Sequence, residues 1–158
     1  KAIPREEWTK ADAERPLSAR GKKQANAIVG PLRAFGVNRI VSSPAVRCVK
    51  TISPLASALS KKPELTKLIS QDEWEAGSAD PRTVIGQRVR GRQTTVICGH
   101  RPVLPDLLNE IALATATLRG SYIGSAAALE PGAFSVVHLS VTNPGSGIVS
   151  IETHAPRV

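Results

Sequence analysis

Aromatic residues are scarce in this chain, 3% of its 158 residues, and that scarcity limits both its core and its partners. A core without them rests on Val, Ile, Leu and Ala, and a surface without them has little on which to stack bases. Cysteine is nearly absent too. Cys48 and Cys98 are too few for a disulfide framework and lack the paired spacing of a zinc site, which points to an intracellular chain in which each is a small buried filler. No apolar run approaches the roughly 18 residues a membrane helix needs, and the opening KAIPREEW has no signal-peptide core. The expectation is a cytoplasmic protein.

What is present suits one globular unit, residues 1–158 read as a single domain, with ordinary apolar (41%) and charged (22%) fractions. The net charge of +8 invites a nucleic-acid reading. The cations are spread, however, over Arg20 to Lys23, Arg33, Arg39, Lys61, Lys62 and the run RVRGR at 88–92. A solvated basic surface or an anionic substrate therefore ranks above a nucleic-acid partner.

Residues 1–16 are polar and aperiodic, with Pro4 and Pro16, and read as a loop. Ser18 offers an N-cap to a helix over 19–35, whose stripe of Ala25, Ile28, Val29, Leu32 and Phe35 is closed by Gly36. VNRIVSS reads as a strand and AVRCVKTISPLASAL as a helix bent or interrupted around Pro54. ELTKLIS reads as a strand, QDEWEAGSADP as an acidic loop, and 81–90 as a short helix. TTVICGH is a continuous apolar strand of the kind covered on both faces. A helix over 103–118 and a hairpin of 134–141 with 147–154 complete the pattern. The fold class is α/β: a mostly parallel sheet flanked by helices, with a C-terminal β-hairpin.

In such sheets ligands sit beyond the carboxyl ends of the strands. Two of those ends carry cations, IVSSPAVR and VICGHR. Arg47 stands in the first turn of its helix, where a cation costs about 0.3 to 1 kcal/mol unless an anion sits beside it. A guanidinium fork there matches phosphate oxygens. Arg47 is thus either a surface ion-pair partner or half of an anion clamp, and His100 either a structural residue or the other half. Their joint position favours the clamp.

RPLSARGKKQANAI, VNRIVSSPAVRCVKTISPLA and TTVICGHRPVLPDLL together resemble the histidine phosphatase superfamily, with its phosphoglycerate mutase-like three-layer sandwich. The closest likeness is to short SixA-like phosphatases and to the phosphatase part of actinobacterial Nudix (MutT-like) proteins. LSARG-x-x-Q-A resembles the family's L-T-x-x-G-x-x-Q-A, SSPAVRCVKT its S-S-P-x-x-R-x-x-x-T, and CGH the segment of its second histidine. The resemblance implies that Arg47 and His100 clamp a phosphoryl group and take part in catalysis. It implies a general acid at Asp72 or Glu73, beside Gln71, with Arg101 adding to the anion site and Ser42 and Ser43 forming its floor. Lys50, Thr51 and Trp74 are read as surface or filler positions.

The family's nucleophile is a histidine in an Arg-His motif, and no Arg-His pair occurs here. His138 and His154 fall in the hairpin and read as structural. The expectation is that the first strand, with the nucleophile, comes from an upstream part of the same polypeptide. The resemblance implies no cofactor for this domain, and Mg²⁺ only for an upstream Nudix domain acting on 8-oxo-dGTP or dinucleoside polyphosphates. The alternative is a degenerate module that docks phosphate or nucleotide without turnover.

Overall fold

Two short strands carry the alternation that organises the core. In the computed structural model, which describes residues 1–155, β1 (Arg39–Ser42) is flanked by two parallel strands, β2 (Glu64–Leu65) and β3 (Thr95–Cys98), in the order β2-β1-β3. Successive side chains on a strand face opposite ways. Ile40, Val96 and Cys98 accordingly pack with Leu32, Val37, Ile52 and Leu55, whereas Val41 and Ile97 pack with Ile69, Val84, Ile85, Val103 and Leu107.

Helices cover both faces as a result. On the first lie α1 (Ala19–Ala27), α2 (Val29–Ala34) and α3 (Val46–Leu59). At the rim of the second lies α4 (Gln71–Glu75), followed by α5 (Pro81–Gly91) and α6 (Leu104–Ala114). The chain then forms α7 (Ser121–Ala127) and an antiparallel hairpin, β4 (Phe134–Leu139) with β5 (Ile148–His154), packed on Leu108 and Ala112 of α6. The α/β class, parallel sheet and closing hairpin are as the sequence predicts. No helix among the described residues is long and apolar enough to cross a membrane.

Several elements differ from expectation for identifiable reasons. The helix over 19–35 is two helices, broken at Ile28, because Pro31 has no N–H for the Ala27 carbonyl and its ring clashes with it. α3 by contrast runs continuously through Pro54. The strand expected over ELTKLIS is only two residues long, and Lys67–Ile69 form a 3-10 turn in which the Thr66 hydroxyl accepts from the Leu68 N–H. The expected acidic loop begins with α4, whose first turn is capped by Ser70 through the Glu73 N–H at 3.2 Å. The helix expected over 103–118 spans 104–114.

β3, which reads as a strand covered on both faces, is an outer strand of this sheet, and all four of its residues are half-buried. β4 likewise pairs only with β5, while Phe134 reaches the cluster that holds Val96 and Cys98.

Candidate functional site

The C-terminal ends of β1 and β3 lie side by side, with the Ser43 N–H bonded to the Cys98 carbonyl at 2.9 Å. Beyond β1 the chain turns at Pro44 and enters α3, whose N-cap, Ala45, offers no side chain to the free N–H groups. Beyond β3, Gly99 leads to His100, which opens a 3-10 turn into α6. Arg47 and His100 are thereby brought together, Arg47 Nη2 lying 3.1 Å from His100 Nδ1.

Because a guanidinium only donates, Nδ1 is the acceptor and the imidazole proton sits on Nε2. From there it points to Ser43 Oγ at 2.8 Å. Ser43 is fully buried and His100 is 5% exposed, so the ring is held on both edges. Ser42 is also fully buried, and its hydroxyl donates to the Ser43 carbonyl at 2.9 Å.

Arg47 Nη2 has more acceptors than its two N–H groups can satisfy. Nη1 donates to the Asp12 carbonyl at 2.6 Å, and Nη2 faces Gln71 Oε1 at 3.2 Å and Asp12 Oδ2 at 2.8 Å as well as His100. Asp12 Oδ2 is buried yet accepts no aligned hydrogen bond, so this contact is an ion pair with poor geometry. Its partner oxygen, Oδ1, accepts from Arg15 Nε at 2.9 Å and lies 3.3 Å from Arg5 Nε. Burial would raise the Asp12 carboxyl, but the Arg15 hydrogen bond and the charges of Arg47, Arg15 and Arg5 hold it below the usual carboxylate range. Asp12 thus supplies the negative charge that the first turn of α3 lacks.

The remaining predicted residues divide. Gln71, at the start of α4, reaches Arg47. Asp72 is exposed beside Gln71, and the Glu73 carboxylate accepts from the Ser78 hydroxyl; neither carboxylate bonds Arg47 or His100 directly. Arg101 is exposed. Lys50 is exposed and the Thr51 hydroxyl donates to the Arg47 carbonyl at 2.7 Å, in keeping with surface and helix roles. Trp74 is 40% exposed, and its indole N–H donates to Asp106 Oδ2 at 2.8 Å. His138 and His154 both bond Glu152 within the hairpin.

The opening segment is tied to the site by main-chain geometry. The Ser18 N–H and hydroxyl both donate to the Lys1 carbonyl, at 3.0 and 2.9 Å. A Cβ on Gly21 would lie 2.0 Å from that oxygen, which explains the glycine of LSARG. Gln24 Oε1 accepts from the Lys1 amine at 2.7 Å, and its amide donates to the Pro131 carbonyl at 2.8 Å.

A guanidinium fork, an imidazole and an uncapped helix end stand together at the carboxyl edge of a parallel sheet in an α/β domain, groups whose chemistry suits an anion such as a phosphoryl group. The chain belongs to the histidine phosphatase superfamily (branch 1), whose family model matches residues 4–111. It is 33% identical over 97 residues to the 8-oxo-(d)GTP phosphatase of Mycolicibacterium smegmatis, a match that covers 61% of this chain and 30% of that protein. Its fold is similar to that of the protein histidine phosphatase SixA complexed with tungstate, with a TM-score of 0.64, 16% identity, and 94% and 89% of the two chains covered. A SixA protein from Nakamurella multipartitia gives a TM-score of 0.69 at 19% identity over 96% and 90%. A mycobacterial glucosyl-3-phosphoglycerate phosphatase gives 0.61 at 12% identity over 93% and 90%.

Proposed function

We propose that this chain is the phosphoryl-binding part of a histidine phosphatase that hydrolyses a phosphate group from a nucleotide or another small phosphorylated molecule, and that the nucleophilic histidine arrives on an extended segment upstream of Lys1. The convergence of Arg47 and His100 at two strand ends carries the reading. The incoming dianion takes the place of the misaligned Asp12 contact on Arg47. His100, held from behind by Ser43, presents Nδ1 to a phosphoryl oxygen and donates a hydrogen bond there once protonated. Such positioning and charge neutralisation are most of what phosphoryl transfer asks of a protein.

The upstream segment has a place to go. β3 and β4 are both outer strands bordering the cluster of Val96, Cys98 and Phe134. An extended segment between them would pair edges that otherwise expose main-chain groups. The Lys1 nitrogen already faces a side-chain acceptor on Gln24, where a peptide N–H donates equally well. An imidazole on the last residues of that segment would attack phosphorus in line with the ester oxygen. The P–O bond breaks, a phosphohistidine forms, and water then hydrolyses it. Asp72, exposed beside Gln71, is the proton donor to the leaving oxygen.

The wider polypeptide, on this reading, is cytoplasmic and carries an upstream Nudix part that uses Mg²⁺ on nucleoside polyphosphates. The 8-oxo-(d)GTP phosphatase of Mycolicibacterium, of which this chain spans 30%, supports a nucleotide substrate and a longer polypeptide. The test is phosphate release from nucleotides and small phosphate esters by a chain extended upstream, with Arg47→Ala and His100→Ala controls. Turnover lost in both controls supports the proposal. Phosphate binding without release from any ester overturns it in favour of a docking module, as does full turnover by the 158-residue chain alone.

A further inference from the structure

Two sulfurs lie directly behind His100, and the phosphate clamp uses neither. Cys48 follows Arg47 in the first turn of α3 and is 3% exposed. Its Sγ is 3.7 Å from His100 Nε2 and 3.4 Å from the Gly99 carbonyl oxygen. Cys98 ends β3, half-buried on the outer strand, with its Sγ 3.8 Å from the Cys48 carbonyl oxygen. Each sulfur thus lies against the main chain of the segment that carries the other.

The pair is electrostatically asymmetric. The Cys98 thiol, against the cost of burial, and then His100 and Arg47 draw the Cys48 thiol down to about 5. The same sulfur contact, together with burial, pushes Cys98 up. Cys48 is therefore the more readily ionised of the two, and Cys98 the one that keeps its proton. Cys48 is not placed to attack phosphorus, because His100 turns Nδ1 to Arg47 and the opposite edge to Cys48.

We infer that Cys48 and Cys98 form an oxidation site, at which a peroxide converts the pair into an intramolecular disulfide behind His100. The Cys48 thiolate attacks one peroxide oxygen, the O–O bond breaks and hydroxide leaves, producing a sulfenic acid on Cys48. The Cys98 sulfur then attacks that sulfur, the S–O bond breaks, and water leaves with the Cys98 proton. The two sulfurs lose two electrons and the peroxide gains them. The bridge takes the Cys48 sulfur out of its contact with His100 Nε2 and leaves Ser43 alone on that edge of the ring. That this disturbs a phosphate clamp rests on the proposed function; the disulfide itself does not.

The native chain is treated with hydrogen peroxide, and its intact mass and free thiols are measured before and after reductant, alongside the imidazole NMR signals of His100 assigned with His100→Gln. The expected result is a monomer lighter by two hydrogens with no free thiol, reversible by dithiothreitol, and a shifted His100 signal. Cys98→Ser should halt with one added oxygen on Cys48 that dimedone traps. Cys48→Ser, or Cys48→Ala if that variant folds poorly, should leave Cys98 at least about tenfold slower to react. Retention of both thiols in the folded chain overturns the inference. Oxygen adducts without bridge formation, a bridge between two chains, or Cys98 reacting equally fast without Cys48 overturn it as well.

Discussion

Arg47 Nη2 lies 3.1 Å from His100 Nδ1, a contact that a single imidazole tautomer allows. With the proton on Nε2 and directed at Ser43 Oγ, the free ring is a neutral acceptor toward the anion site. Nitrogen-15 spectra of His100 should therefore show a pyridine-like Nδ1 and a protonated Nε2. Ser43→Ala, which removes the acceptor behind the ring, should mix the two tautomers. A pyridine-like Nε2 in the unsubstituted chain would contradict this geometry.

The guanidinium fork itself is open to test with inorganic phosphate. A hydrogen bond to a charged group contributes about 1.5 to 3 kcal/mol, so Arg47→Ala should weaken phosphate binding by about tenfold or more in calorimetry. Arg47→Lys restores the charge without the planar fork and should recover only part of the loss. Equal affinity in all three chains would remove Arg47 from the site.

Some of this arrangement was legible in the sequence and some was not. Arg47 and His100 could be found because each follows an apolar strand, and topology brings such strand ends together. Gln71 was half-visible: Ser70 and Glu73 have the spacing of a helix start, a signal masked by the acidic run, so the segment reads as a loop. Asp12 carried no signal. Its contact with Arg47 spans 35 residues, and nothing in a polar, aperiodic segment marks one carboxylate above its neighbours. The break at Ile28 was hidden because Ala25, Ile28, Val29, Leu32 and Phe35 keep a helical spacing across it, and periodicity does not register the N–H missing from Pro31. The outer position of β3 was unreadable because an apolar strand looks the same whether its flanks are paired or open.

Asp12 links the site to pH. Its carboxyl is held below the usual range in the folded chain, so folding gains from its ionisation. That gain is complete above the unfolded value of about 3.9 and is lost as pH falls through the lower folded value. Urea denaturation should show the stability difference between the native chain and Asp12→Asn shrinking from neutral pH toward pH about 3. The same variant should bind phosphate more tightly at neutral pH, since it removes the carboxylate that occupies Arg47. A stability difference that does not change with pH would show that the Asp12 charge is not what holds the segment.

Gly21 tests how the opening residues are fixed. A methyl group there would stand 2.0 Å from the Lys1 carbonyl oxygen, and the clash is with main chain that Ser18 grips through two hydrogen bonds. Gly21→Ala therefore has to displace Lys1 even though alanine favours the helix by about 1 kcal/mol. Overpacking of this kind costs about 1 to 3 kcal/mol, so a net loss of stability is expected in urea denaturation. Amide exchange should quicken at Ser18, whose N–H would lose the Lys1 carbonyl, and hold at Ile40 and Val41 in β1. If the variant is as stable as the native chain and Ser18 stays protected, the opening residues are held by something other than their passage over α1.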